Sequence, residues 1–163
     1  MALRVGLVGS GSMGALHARV IATNDRTQLA WIADPDPSAS AVAERYATTW
    51  QPAATYDDVD AIVLAVPTQH HLTAAMEVID AGLPLLLEKP LADTYAGSVS
   101  IVEAARAKGV VLTCGLLERF NAAVRTATEI ARDPIHVTTV RHSPYAERIR
   151  TCLLYTSPSP RDS

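Results

Sequence analysis

The sequence predicts an α/β fold: a doubly wound parallel sheet followed by the first helix and strand of a truncated α+β domain. Three observations carry this expectation. Short apolar runs of strand length alternate with segments of helical period, the runs are apolar without alternation, and no long gap separates them. A parallel strand needs a crossover to return, so repeated βα units imply a parallel sheet clothed by helices on both faces. At 163 residues the chain has room for one well-cored domain and not for a complete second one.

Residues 3–8 form an apolar run that ends in glycines, and residues 13–23 carry helical spacing through Ala15, Leu16 and Val20. Residues 28–33 read as a second strand, and residues 38–47 as a helix capped by Asp36 or Ser38. Residues 61–65 are a third strand, apolar throughout, as expected where both faces are covered. In the helix that follows, Leu72, Ala75, Met76 and Ile79 fall on one stripe, and Gly82 and Pro84 stop it. Residues 85–87 make a fourth strand. Residues 94–108 make a helix capped by Asp93 or Thr94 and closed by Gly109, and residues 110–114 make a fifth strand.

The pattern changes after Gly115. Residues 121–131 read as a helix and residues 135–141 as a β-branched strand, the opening of a substrate and oligomerisation domain spanning 118–151, with the first domain at 1–117. A lone helix and strand cannot bury their own apolar faces, so Val124, Ile130, Val137 and Val140 are expected to lack partners. From Cys152 the chain reads Cys-Leu-Leu-Tyr-Thr-Ser-Pro-Ser-Pro-Arg-Asp, which matches one translated frame of the transposase adapter used in sequencing libraries. Residues 152–163 are therefore expected to be an artefact, disordered and outside the fold. The alternative is a natural Ser/Pro-rich tail.

Composition excludes several classes. A net charge of −3 offers no basic surface for nucleic acid. The longest apolar runs, 61–67 and 83–87, fall far short of the roughly 20 residues a membrane helix needs. The N-terminal residues lack the features of a secretory signal, so a cytoplasmic location is expected. Cys114 and Cys152 have neither metal-ligand spacing nor a disulfide framework, and no metal site is expected.

Gly9-Ser10-Gly11-Ser12-Met13-Gly14 is a G-x-G-x-x-G motif that follows a strand and opens a helix, and Asp34 lies at the end of the second strand. This is the fingerprint of a dinucleotide-binding Rossmann domain. Gly9 turns the chain, Gly11 lets the backbone approach a pyrophosphate, and Gly14 lets helix and strand pack closely. The helix N-terminus offers unpaired N–H groups and a partial positive charge to the phosphates. Asp34 can accept bonds from the adenosine ribose hydroxyls and would repel a 2′-phosphate. Pro35 and Asp36 supply no cation to receive one, so NAD is favoured over NADP.

The second constellation, Glu88-Lys89-Pro90, follows the fourth predicted strand. Ligands of doubly wound folds sit at the carboxyl ends of strands, so Lys89 emerges where a nicotinamide belongs. Its ammonium can bond a substrate hydroxyl and stabilise the developing alkoxide. The alternative is a solvated loop lysine. Lys89-Pro90 is also a candidate cis peptide that would aim the lysine inward.

Gly9-x-Gly11-x-x-Gly14-x-x-His17-Ala18, Val66-Pro67-Thr68-x-x-His71 and Glu88-Lys89-Pro90-Leu91 occur in order, and with them the chain resembles the glucose-fructose oxidoreductase, inositol dehydrogenase and MocA family. The resemblance covers residues 3–150. It implies a Rossmann domain followed by an open-faced sheet domain that binds substrate and joins subunits into homo-oligomers. By position Lys89 is the active-site lysine, with Pro67, Thr68 and His71 on the nicotinamide-ribose side. The cofactor-binding set is then Gly9, Ser10, Gly11, Ser12, Met13, Gly14, Asp34, Pro67, Thr68, His71, Glu88 and Lys89. His17 reads as helix packing and His70 as a surface neighbour. The family's Asp and His pair on a helix of the second domain has no counterpart here, so the polypeptide is expected to bind dinucleotide weakly at most and to show no turnover.

Glu118-Arg119-Phe120-Asn121 and Arg148-Ile149-Arg150 are similar to a subgroup acting on UDP-N-acetylglucosamine and related nucleotide sugars, in which Arg119 would meet a phosphate or carboxylate. Ala122 and the stretch 143–147 depart from that subgroup. Surface ion pairing is the alternative for Arg119 and Arg148. The expected activity is NAD-dependent oxidation of a ring hydroxyl of a sugar or nucleotide sugar. Oxidation of an inositol, a free sugar or an imine, and a non-catalytic dinucleotide-binding regulator, are the alternatives.

Overall fold

A computed structural model describes residues 1–132 together with His136 and Thr138. Four βα units and two further strands build the first part of the chain. Strand β1 (Leu3–Val8) leads into α1 (Ser12–Thr23), and β2 (Thr27–Ala33) into a 3₁₀ turn (Pro37–Ala39) and α2 (Ser40–Arg45). There follow β3 (Thr49–Gln51), β4 (Ala61–Leu64), a 3₁₀ turn (Thr68–His70), α3 (His71–Asp80), β5 (Leu85–Leu87), α4 (Tyr95–Lys108) and β6 (Leu112–Cys114). The strands form one sheet in the order β3-β2-β1-β4-β5-β6, every adjacent pair parallel.

Successive residues of β4 and β5 serve opposite faces, and a register shift between β1 and β2 breaks the alternation at Ala30 and Trp31. Trp31, Ile62, Leu64, Leu85 and Leu87 pack with Ala75, Val78, Ile79, Ile101 and Ala105. Val5, Leu7, Leu29, Ile32 and Val63 pack with Ala18, Ile21 and Ala43 on the other side. Gly6 is bare because Trp31, its partner across β2, lies over it; a Cβ there would strike the indole ring. The price of that close fit is an indole N–H buried without a partner, which costs about 1–3 kcal/mol.

Local signals fix the helix ends. Asp36 Oδ1 accepts the N–H of Ser38 and opens the 3₁₀ turn before α2, so the expected helix 38–47 is shorter and begins differently. Thr94 Oγ1 accepts the N–H of Gly97 at the start of α4, and Gly109 ends it in the left-handed region at φ 66°. Helix α1 turns a different face inward from the one its apolar residues suggest. Gly14, Ala18 and Ile21 are buried, while Leu16 and Val20 are 46% and 55% exposed. Gly14 must lie against the backbone of Gly9, and that contact rotates the small residues toward the sheet.

The sequence pattern does not predict strand β3. Its three residues are too few to show a period, and its place is set by pairing with Trp31, Ile32 and Ala33. The chain divides into two compact units, Met1–Leu116 and Leu117–Ser163. In the described part of the second, a 3₁₀ turn (Leu117–Phe120) precedes α5 (Ala122–Ile130), capped by Asn121 Oδ1 on the N–H of Ala123. None of the α5 residues is buried, and Val124 and Ile130 are 42% and 80% exposed. The expected strand 135–141, with Val137 and Val140, and residues 152–163 lie outside the described residues, apart from His136 and Thr138.

Candidate functional site

The sheet order reverses between β1 and β4, because the chain runs outward through β2 and β3 and returns to build β4, β5 and β6. That switch point opens a crevice beyond the carboxyl ends of the strands, where doubly wound folds bind ligands. Gly9 lies on one side of it at φ +90°, and a Cβ at Gly9 would stand 2.7 Å from the carbonyl of Ala65 on the other. At Gly14 a Cβ would collide with the Gly9 carbonyl oxygen. At Gly11 it would meet nothing within 4 Å. The first two glycines are thus required by the protein itself, and the third leaves open space above the loop. Gly11 is also the N-cap of α1, with no side-chain cap and no acidic residue in the first turn, so the N–H groups of Ser12, Met13 and Gly14 face that space without a side-chain competitor.

Asp34 closes this end of the crevice. Ser10 donates to its Oδ2 through both the main-chain N–H and the hydroxyl, each at 2.8 Å, and the N–H of Asp36 donates to Oδ1 at 2.9 Å. Trp50 Nε1 donates to the Asp34 carbonyl at 3.0 Å. The carboxylate is held in one orientation with lone pairs to spare for a diol. Hydrogen bonds from Ser38 hold the neighbouring Asp36 carboxyl below its usual range, so a second negative charge stands beside the first.

The other end is built by β4 and β5. Pro67 is exposed and starts the 3₁₀ turn that carries Thr68 and the exposed His70, whose ring contacts Gln69. His71 is 1% exposed, with Nδ1 2.7 Å from the Pro90 carbonyl and Nε2 2.9 Å from the Val66 carbonyl. The ring has no nitrogen left for a ligand; it fastens the two loops to each other. Glu88 is 5% exposed and Lys89 is exposed, with a cis peptide bond to Pro90. Glu88 Oε1 accepts from His17 Nε2 at 2.7 Å, and Oε2 accepts the main-chain N–H of Lys89 at 3.2 Å. His17 therefore does more than pack its helix, in contrast to the expectation. The signal that points to it is a carboxylate at the end of three leucines, which must find a partner when buried.

Among the described residues the Lys89 ammonium makes no ion pair. Burial pushes the nearby Cys114 thiol up, the Glu88 charge adds to that, and the Gly115 N–H opposes it. No group of three His, Cys, Asp or Glu suited to a metal occurs among the described residues. Arg119 belongs to the second unit, exposed on the turn Leu117–Phe120, where it lines a shallow recess with Arg125, Glu129 and Arg132.

A glycine cradle, an uncapped helix N-terminus and an oriented carboxylate define a dinucleotide-binding α/β domain, and each feature fits a dinucleotide. Residues 3–116 match the GFO/IDH/MocA oxidoreductase family, described as having an NAD-binding Rossmann fold, and the chain belongs to that family. It is similar to inositol 2-dehydrogenase of Corynebacterium glutamicum, 42% identical over 110 residues, which cover 62% of this chain and 32% of that protein. Among solved structures it is similar to GenD2 from gentamicin A biosynthesis in complex with NAD, at TM-score 0.77 and 32% identity over 81% of this chain and 39% of that one. UDP-N-acetylglucosamine 3-dehydrogenase from Acidithiobacillus ferrooxidans gives TM-score 0.73 and 27% identity over 80% of this chain and 44% of that one. The chain thus spans about a third of the length of the curated relative.

Proposed function

We propose that this chain is the NAD-binding part of a dehydrogenase that oxidises a ring hydroxyl of a sugar or nucleotide sugar. The observation that carries the reading is the convergence of the glycine cradle, Asp34 and Lys89 at the carboxyl ends of β1, β2 and β5. The N-terminus of α1 receives the pyrophosphate, Asp34 accepts the adenosine ribose hydroxyls, and the carboxylates of Asp34 and Asp36 disfavour a 2′-phosphate. When bound, the dinucleotide supplies the acceptor for the hydride. Lys89 donates a hydrogen bond to the substrate oxygen and stabilises charge that builds there as its proton departs. The base that takes this proton lies outside the described residues. Thr68 and Pro67 flank the nicotinamide side, and His71 acts through the backbone it holds.

The likeness to inositol 2-dehydrogenase favours an inositol as a second substrate reading. Arg119 beside Arg125 and Arg132 favours an anionic group such as a nucleotide diphosphate. Titrating the chain with NAD under NMR observation tests the binding step. Amide shifts are expected at Gly9 to Gly14, Asp34 and Lys89, with NADP at least about tenfold weaker. Shifts confined to other residues, or none, would overturn the reading. In a longer chain that continues this one, Lys89→Met is expected to lower turnover about a hundredfold. Comparing myo-inositol with UDP-N-acetylglucosamine as substrate separates the two classes.

A further inference from the structure

We propose that His17 is a positioning residue for the lysine end of the crevice: through Glu88 it fixes the main chain from which Lys89 projects. The inference rests on the reading of Lys89 given above. An ionised carboxylate removed from water is costly unless it is paired and hydrogen-bonded, and Glu88 is nearly sealed. Its two oxygens are used differently. Oε1 takes the His17 ring at 2.7 Å, and Oε2 takes the N–H of Lys89 at 3.2 Å. The third side is closed by backbone, since a Cβ at Gly115 would stand 3.0 Å from Oε2 and 3.1 Å from Oε1.

Among the described residues His17 is the side-chain donor to this carboxylate, and it lies 71 positions away in sequence. It lies one turn beyond Gly14, on the same helix whose N-terminus faces the phosphates. One rigid helix thus presents N–H groups to one part of the ligand and, through Glu88, sets the strand end that meets another part. A histidine serving only to pack α1 would not need a bond to the residue that precedes the lysine.

The test compares His17→Ala with His17→Gln, whose amide keeps an N–H donor near the position of Nε2. In the ligand-free chain, His17→Ala is expected to shift the amide signals of Lys89 and Gly115 and to speed exchange of the Lys89 amide about tenfold, with Gly9 to Gly14 unmoved. His17→Gln restores both. With ligand, His17→Ala weakens NAD about tenfold and leaves ADP, which reaches only the glycine loop and Asp34, within about twofold. Equal loss of NAD and ADP, or a Lys89 amide and NAD affinity unchanged from wild type, would overturn the proposal. If the alanine variant does not fold, His17→Leu fills the site without a donor, and it must show the same split. A wild-type chain that binds ADP but gains nothing from the nicotinamide half refutes the reading of the Lys89 end, while the ligand-free amides still decide whether His17 positions it.

Discussion

At the carboxyl end of β1 the backbone is shaped by side chains that are missing, whereas at the ends of β4 and β5 it is shaped by two that are buried and polar. Gly9 and Gly14 touch carbonyl groups so closely that a single methyl has no room. His71 and Glu88 instead join segments distant in sequence, one bridging Val66 and Pro90 and the other linking α1 to Lys89. The first kind of shaping tolerates no addition, and the second tolerates no loss of a donor or acceptor. The two ends should therefore fail differently when mutated.

The largest effect is expected at Gly14. Gly14→Ala forces the Gly9 carbonyl to move and should destabilise the fold by about 3 kcal/mol, read from thermal melts. Gly11→Ala sharpens the point, because its Cβ meets nothing in the protein. Its melting temperature should shift by no more than about 0.5 kcal/mol corresponds to, while the NAD-dependent NMR shifts disappear. A comparable loss of stability at both glycines would mean that the open space at Gly11 has no bearing on a ligand. Next comes His71→Phe, which keeps a ring but removes both ring nitrogens from the carbonyls of Val66 and Pro90 and should cost about 2 kcal/mol in urea unfolding. An unchanged midpoint would show that the two loops are held by other contacts.

The smallest effect concerns Tyr56, which lies on neither end. Burial first, then the hydrogen bond and charge of Glu77, push its phenol up from 10.0 to about 12. The folded state therefore holds this proton to higher pH than the unfolded chain does. The stabilisation is complete below the ordinary value of 10.0 and is lost as pH climbs toward about 12. Melts across the alkaline range should show a steeper decline for wild type than for Tyr56→Phe.

The same contrast explains what was legible in the sequence. The glycine loop, Asp34 and the caps at Asp36, Thr94 and Gly109 act over a few residues or at a spacing fixed by one βα unit, so their chemistry is written locally. For the inward face of α1 hydrophobicity singles out Leu16 and Val20, whereas close approach of backbones decides in favour of Gly14 and Ala18. Strand β3 depends on pairing to β2 more than on its own residues. The partners of His71 lie 5 and 19 positions away and the partner of Glu88 lies 71 away, so no local pattern announces them.

The chain has two tryptophans, and both stand on β2 and β3. Trp50 donates its indole N–H to the carbonyl of Asp34, while Trp31 is sealed in the core. Intrinsic fluorescence is therefore a one-sided optical probe. Occupancy of the adenosine side should change the emission of Trp50 directly. Events around Lys89 have no indole close by in sequence or on their own strands, and following them by light calls for a dye or a new tryptophan placed near β5.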